Sequence, residues 1–93
     1  MVVAAMEIRL HASWVRSLKE KRMIVKSLVE RIRNRYNVSA AEVDTLDAHQ
    51  SIVIGIACVA WDAASADRTL DHLLEFVEKS TDAEITEVSR EIL

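Results

Sequence analysis

The sequence has no proline, one glycine and one cysteine among its 93 residues. Because no proline-rich or low-complexity tract marks a linker, we expect a single domain over residues 1–93. The lone Cys58 has no partner for a disulfide, and one cysteine is not enough for an iron–sulfur cluster or a soft-metal site. It lies inside the apolar run of residues 52–61, so we expect a buried small hydrophobe in a reducing cytoplasm.

No apolar run is long enough to cross a membrane. The longest one, residues 52–61, contains Gly55 and has about half of the ~20 residues that a membrane-spanning helix needs. The N-terminus also lacks the basic region and the long apolar core of a signal peptide. We therefore expect a soluble, cytoplasmic protein without a membrane partner.

The net charge of −3 hides a division along the chain. Residues 1–36 hold nine Lys or Arg and three Asp or Glu, a balance of +6, whereas residues 37–93 hold three and twelve, a balance of −9. Two interpretations remain open. The two halves neutralise each other within or between subunits, or the basic half forms a face that binds a partner.

The basic residues concentrate in a segment that predicts one long helix. Ser17 and Glu20 form the S-x-x-E capping box, which predicts a start at Ser17, and Asn37 is predicted to end the helix in a left-handed conformation. Apolar residues at helical spacing define a core-facing stripe centred near Val25: Leu18, Val25, Leu28, Val29, Ile32 and Tyr36. One flank of the stripe carries Lys19, Arg22, Lys26 and Arg33, and the other side is predicted to carry Lys21, Arg31 and Arg35.

Strand and helix patterns follow one another along the chain. Alternation predicts a strand over residues 1–11, a weakly patterned edge strand over 38–44, a central strand over 52–61 and a last strand over 83–93. The spacing from Ala66 to Val77 predicts a second helix after an N-cap within 62–65. The order βαββαβ predicts a ferredoxin-like α+β fold, a four-stranded antiparallel sheet with both helices on one face and the first and third strands in the middle.

Further details of packing follow from this fold. Leu28, Ile32, Ile54, Leu70, Leu73 and Leu74 are predicted to share one core. If Ile52, Ile54, Ile56 and Cys58 face the helices, then Val53, Ala57 and Val59 lie on the open side of the sheet; the reverse register would turn Gly55 and Ala57 inward. Gly55 itself suggests a bulge or a close approach by another backbone.

Several chemistries that this fold hosts lack their residues here. The loop of residues 12–16 has no glycine, so it forms no backbone cradle for an acylphosphatase-like reaction. The central strands offer no exposed aromatic residues for base stacking on the sheet, and Trp14 and Trp61 are more often packing anchors than stacking platforms. The motifs present supply no nucleophile together with a base that could activate it, so we expect no enzyme and no cofactor.

One polar group is predicted at a sheet edge. The topology brings His11, Trp14 and Arg16 toward Asp44, Asp47 and His49, beside the start of the basic helix. Such a mixture of His and Asp can bind a metal or a phosphate, but none of the histidines shows the spacing of metal ligands. We therefore expect no metal at this edge.

Several segments resemble the YlxP-like family of small bacterial proteins, over nearly the whole chain. They are Ser-Leu-Lys-Glu-Lys-Arg at 17–22, the segments 33–39 and 41–43, Asp47 with Gln50, and the closing residues 90–93. The sequence departs from the family pattern at His49 and Ser51, where a tryptophan and a basic residue are expected. The resemblance implies a ferredoxin-like fold, no known catalytic residues, and a gene that often lies among those for translation initiation and ribosome maturation.

We expect a non-enzymatic accessory protein that binds structured RNA or a ribosomal surface through the basic helix. The residues predicted to contact phosphate are Arg16, Lys19, Arg22, Lys26 and Arg33. The alternative is a dimeric protein–protein interaction module of unknown partner, whose charges serve self-assembly. The apolar open side of residues 52–61 motivates the expectation of a homodimer.

Overall fold

A computed structural model describes residues 1–93, and it contains six elements in the order βαββαβ. They are β1 (Val2–His11), α1 (Leu18–Arg35), β2 (Ser39–Asp44), β3 (Ser51–Ala60), α2 (Ala63–Ser80) and β4 (Glu84–Ile92). The order and type of the elements confirm the prediction, and the strand ends differ from it by one residue.

The four strands form one antiparallel sheet in the order β2-β3-β1-β4. β1 and β3 pair along their whole length, from Val2 opposite Ala60 to His11 opposite Ser51. The register shifts once between β1 and β4 and once between β2 and β3, where the second shift lies between Glu42 and Asp44. The predicted ferredoxin-like α+β fold, with β1 and β3 in the middle, is therefore confirmed.

Helix α1 begins where its capping residue predicts. The Ser17 hydroxyl accepts a hydrogen bond from the Glu20 N–H at 3.1 Å, so Ser17 is the N-cap and Leu18 the first helical residue. The prediction of a left-handed Asn37 is wrong. The helix ends at Tyr36 in an extended conformation, and no residue near this end has a positive φ. The chain instead turns through a short bend, in which the Val38 N–H donates to the Tyr36 carbonyl oxygen at 3.0 Å, before β2 begins at Ser39.

Helix α2 begins at a charged cap. The Asp62 carboxylate accepts a hydrogen bond from the Ser65 N–H at 2.8 Å. This backbone bond lowers the pKa of the Asp62 carboxyl, with smaller contributions from the Ser65 side chain and the nearby charge of Arg68. Asp62 thus satisfies a backbone donor of the first helical turn that would otherwise lack a partner.

The core lies between one face of the sheet and the inner faces of both helices. Five of the six predicted core residues, Leu28, Ile32, Ile54, Leu70 and Leu73, are buried in it, and Leu74 packs half-buried against it. Each large aliphatic side chain buried in this way contributes about 1.5–3 kcal/mol to folding. The core stripe of α1 is therefore held against the sheet, and the flanks of the helix point sideways and outward.

The open face of the sheet follows the first of the two predicted registers. Ile52, Ile54, Ile56 and Cys58 belong to the core, so the alternate residues of β3 lie on the side without helices. On that side Val59 is 62% exposed, whereas Val53, between β1 and the irregular part of β2, is buried. The exposed apolar surface is therefore concentrated toward the C-terminal end of β3.

Of the two predictions for Gly55, a bulge or a close backbone, the bulge is found in the neighbouring strand β2, and a side chain takes the place of the backbone. A Cβ atom on Gly55 would lie 2.6 Å from Cγ1 of Val43. Val43 occupies the register shift of β2 against β3, which places its side chain over the glycine. The irregularity thus lies in the neighbouring strand, and the glycine makes room for it.

The outer surfaces of the helices are polar. On α2, the carboxylates of Asp71 and Asp67 lie 2.6 Å and 3.8 Å from the guanidinium of Arg90, which joins this helix to β4. Neither α1 nor α2 has the length and apolar character that a membrane span requires.

Candidate nucleic-acid interface

One flank of α1, together with the residue before its N-cap, presents a group of unpaired cations, which we call the basic flank: Arg16, Lys19, Arg22 and Lys26. All are exposed, and none lies within ion-pair distance of a carboxylate, although Glu20 and Glu30 are on the same helix. With a rise of about 1.5 Å per residue, Lys19 and Lys26 are separated by about 10 Å along the helix axis. The basic flank is therefore a short row of cations available to an anionic partner.

Arg33, the fifth residue predicted to contact phosphate, lies further along the same flank, but its guanidinium is already bonded within the protein. Its guanidinium donates a hydrogen bond to the Ala40 carbonyl oxygen of β2. The residue remains exposed, so its other N–H groups face solvent. Arg33 thus links α1 to the edge strand, and it is a peripheral member of the predicted site.

The opposite flank of α1 holds α2. Arg31 donates hydrogen bonds to the Ser80 carbonyl oxygen at the end of α2, at 3.1 Å, and to the Ser27 carbonyl oxygen within α1, at 3.4 Å. The guanidinium of Arg35 lies 5.0 Å from the ring centroid of Phe76, and Tyr36 packs edge-on against the same ring. These cations act in helix packing, in contrast to those of the basic flank.

Lys21 was predicted to lie with Arg31 and Arg35 beside the stripe, and this placement is wrong. Lys21 is completely buried. On a helical wheel it lies only about 40° from Val25, within the apolar stripe itself. The lysine therefore enters the core side of α1 at the first helical turns, and it is absent from the basic surface.

Four oxygens surround the Lys21 ammonium. The carbonyl oxygens of Thr45, Ser51 and Leu46 accept hydrogen bonds at 2.7, 3.2 and 3.4 Å, and the Glu42 carboxylate lies 2.9 Å away. An ammonium has three protons, so the four oxygens share them, and the Glu42 carboxylate lies closer than the Ser51 and Leu46 carbonyl oxygens. The lysine thus fixes the β2–β3 connection against the start of α1.

Two loops meet beside this cluster, and Gln50, not Asp44, Asp47 or His49, makes the contacts between them. The Gln50 side chain donates to the carbonyl oxygens of Ser13, at 3.0 Å, and Val15, at 3.2 Å, and the Ala12 N–H donates to the Gln50 carbonyl oxygen. The β1–α1 loop is therefore tied to the β2–β3 loop. No three His, Cys, Asp or Glu side chains come close enough to form a group that could hold a metal ion, either here or elsewhere in the chain.

The comparisons with known proteins agree with this structure. A family model described as "Protein of unknown function (DUF503)" matches residues 3–90. This chain belongs to the DUF503 family. The uncharacterized protein YlxP of Bacillus subtilis (strain 168) is 34% identical over 70 residues, which are 75% of this chain and 76% of the relative. The predicted resemblance to the YlxP-like family is thereby confirmed.

A solved structure is similar to this DUF503 chain in fold alone. The de novo designed protein Foldit4 superposes with a TM-score of 0.51 at 17% identity, over 99% of this chain and 94% of the designed one. At that identity the similarity concerns the arrangement of strands and helices. It carries no information about what the DUF503 chain binds.

In the Ser-Leu-Lys-Glu-Lys-Arg segment of this DUF503 protein, some residues stabilise the fold and others lie on the exposed surface. Ser17 caps the helix and Lys21 is buried in the cluster of oxygens, whereas Lys19 and Arg22 belong to the exposed basic flank. Sequence reasoning missed the role of Lys21, although its position within the apolar stripe indicated it.

The two tryptophans of the DUF503 chain differ in their exposure. Trp61 is 88% exposed at the end of β3, and Trp14 is 43% exposed in the β1–α1 loop. Trp61 is therefore not a packing anchor, whereas Trp14 has more than half of its surface covered and is partly packed against its neighbours. Trp14 lies at the same end of the molecule as the basic flank.

Proposed function

We propose that the protein is a non-enzymatic accessory protein of the cytoplasm that binds structured RNA, free or on a ribosomal surface, through the basic flank. The observation that supports this function is a row of four exposed cations without carboxylate partners, in a chain whose net charge is −3. An acidic protein that only needed solubility would not require unpaired cations on one side of one helix.

The geometry of α1 suits a phosphate backbone. Successive turns place cations about 5 Å apart along the axis, so several of them meet neighbouring phosphates on one strand or across a groove. Each neutralised phosphate releases counterions, which makes the affinity fall with salt at a slope close to one per contact on a double helix. A salt dependence of this kind is the property that distinguishes the basic flank from a merely solvated surface.

The test compares two charge reversals in equivalent surroundings. Lys26→Glu changes the basic flank and Lys79→Glu changes the last turn of α2, and both lysines are exposed. We expect Lys26→Glu to weaken binding of a structured ribosomal RNA fragment at least tenfold at low salt, while Lys79→Glu changes it less than about threefold. Filter binding over a range of salt concentrations measures both the affinity and the slope.

The double variant Arg22→Glu/Lys26→Glu sharpens this test. It should lower the salt slope by close to two, because two phosphate contacts are lost. Arg33 is left unchanged, since its bond to Ala40 would mix loss of binding with loss of structure. An affinity for RNA that is the same in wild type and double variant at low salt would contradict the proposed function.

A second function, a homodimeric interaction module, is supported by the open face of the sheet. Ala57 and Val59 are exposed there, and Val43 is 50% exposed beside them. An apolar patch on a sheet face that no helix covers is uncommon in a monomer. In this function the partner is a second copy of the chain, which covers the open face of the sheet.

A further inference from the structure

A groove of about 350 Å³ lies between the β1–α1 loop, the outer side of α1 and the end of α2. Its lining combines an aromatic ring, aliphatic side chains and polar groups of both charge signs. The residues are Trp14, Met23, Ile24, Ser27, Arg31, Ser80, Thr81 and Asp82. Its volume is at the lower end of the range of about 300–1,000 Å³ that is usual for small-molecule sites.

We propose that this groove holds one unpaired base of the RNA, stacked on the ring of Trp14. This inference rests on the proposed RNA function and adds to it a site for single-stranded segments. Trp14 is 43% exposed, so a part of its ring is available to a ligand, and Met23, 66% exposed, offers an apolar contact beside it. Stacking of bases on exposed aromatic side chains is a common way in which proteins bind unpaired nucleotides.

The charges in the groove favour a base over a phosphate. Asp82 contributes a carboxylate, and the guanidinium of Arg31 is already bonded to the Ser80 and Ser27 carbonyl oxygens. A phosphate here would lie near the Asp82 carboxylate, which repels it. A neutral ring with donors and acceptors at its edge instead meets a carboxylate acceptor, the Ser27 hydroxyl and the remaining N–H groups of Arg31.

The groove is continuous with the basic flank. Met23 lines the groove, and on the helical wheel it lies about 40° from Lys19 and about 60° from Lys26. A strand whose phosphates contact Lys19 and Arg22 at the start of α1 therefore passes beside Met23, and a base from the same strand reaches Trp14. This continuity is the reason for assigning the groove to RNA rather than to a peptide.

Fluorescence of Trp14 gives a direct test. The Trp61→Phe variant leaves Trp14 as the one tryptophan of the chain. The probes are an RNA stem closed by a long unpaired loop and the same stem as a blunt duplex. We expect the looped RNA to quench Trp14 fluorescence on binding and the duplex to leave it nearly unchanged, because only the loop supplies an unpaired base.

Substitutions of Trp14 in the native chain separate stacking from apolar contact. Trp14→Leu should weaken binding of the looped RNA by about 5- to 160-fold, which is the range for one stacked base, and Trp14→Phe by no more than about threefold. Neither should change the affinity for the duplex or the salt slope, because no phosphate contact is lost. Circular dichroism and thermal unfolding check that each variant is folded.

Each other outcome has a defined meaning. Equal affinities of wild type and Trp14→Leu for the looped RNA, or equal losses for loop and duplex, would overturn the base site and leave the proposed function standing. Quenching by an acidic peptide in place of the looped RNA would assign the groove to a protein partner and also overturn it. If wild type bound neither RNA, the proposed function and the base site would both fail.

Discussion

The Lys21 ammonium and the Glu42 carboxylate form an ion pair that is almost completely shielded from water, and neither has another ion-pair partner. The side chain of Lys21 is fully buried and that of Glu42 is 13% exposed. Burying two charges costs several kcal/mol of solvation, which the pair and the carbonyl oxygens around it have to offset. Removing one partner leaves the other without compensation, so the two residues are expected to be strongly coupled.

We predict that Lys21→Met lowers the free energy of unfolding by about 3–5 kcal/mol, since it leaves the Glu42 carboxylate without its countercharge and the Thr45 and Leu46 carbonyl oxygens without the ammonium donor. Glu42→Leu should also destabilise, and the double variant Lys21→Met/Glu42→Leu should cost less than the sum of the two. Urea denaturation of the four proteins measures the coupling. Additive effects would show that the pair contributes little beyond its packing.

Much of this cluster was beyond prediction for a physical reason. The wheel position of Lys21 placed it in the stripe, but lysine is so seldom fully buried that an outward position was the natural assignment. The oxygens that surround the Lys21 ammonium come from residues 42–51. They reach it through a turn in which Thr45 has a positive φ of 55°, and the sequence did not indicate this turn because it has no glycine or asparagine there. The same limit applies to Gly55, whose close neighbour is a side chain of another strand.

At the scale of elements, the starts of the helices were predictable and their ends less so. Ser17 and Asp62 accept hydrogen bonds from backbone N–H groups three residues later, a local interaction that residue types reveal. The end of α1 depends instead on the route of the chain into β2. The two caps also differ, because a hydroxyl and a carboxylate respond differently to pH.

We predict that the cap of α2 weakens in acid and that the cap of α1 does not. Hydrogen bonding lowers the folded-state pKa of Asp62 below its ordinary value of 3.8, so the stabilisation is present above about pH 4 and is lost as pH falls through the lower folded-state value. Asp62→Asn should therefore lose less thermal stability than wild type between about pH 5 and pH 3. Melting temperatures across that range test this, with Ser17→Ala as a variant whose difference from wild type should not vary with pH.

At the scale of the molecule, the fold was predicted from hydrophobic patterns and the function was not. Periodicity, caps and crossover handedness determine the order of the strands, and these rules operate in any sequence, including a designed one with a similar fold. The residues of the basic flank were predicted from the sequence, but their individual contacts were not. The structure adds that Arg33 is tethered and Lys21 buried, which depends on contacts between distant segments.

We predict that the chain forms a dimer through the open face of its sheet. Ala57→Glu and Val59→Glu should shift the mass in sedimentation from two chains toward one and leave the helices folded, because both residues are exposed on the side without core. Lys79→Glu, at an exposed position of α2 on the helix side of the sheet, is the control and should leave the mass unchanged. A mass of one chain for wild type, constant down to low micromolar concentration, would contradict the dimer.

The burial of Lys21 also affects how the protein reacts with chemical reagents. The chain has four lysines, and Lys19, Lys26 and Lys79 are exposed whereas Lys21 is enclosed. An amine-specific label acts on a neutral, accessible amine, so it modifies the three exposed lysines in the native protein and reaches Lys21 only when the β2–β3 connection opens. The rate of labelling at this one position therefore reports the opening of that connection, separately from the unfolding of the rest of the chain.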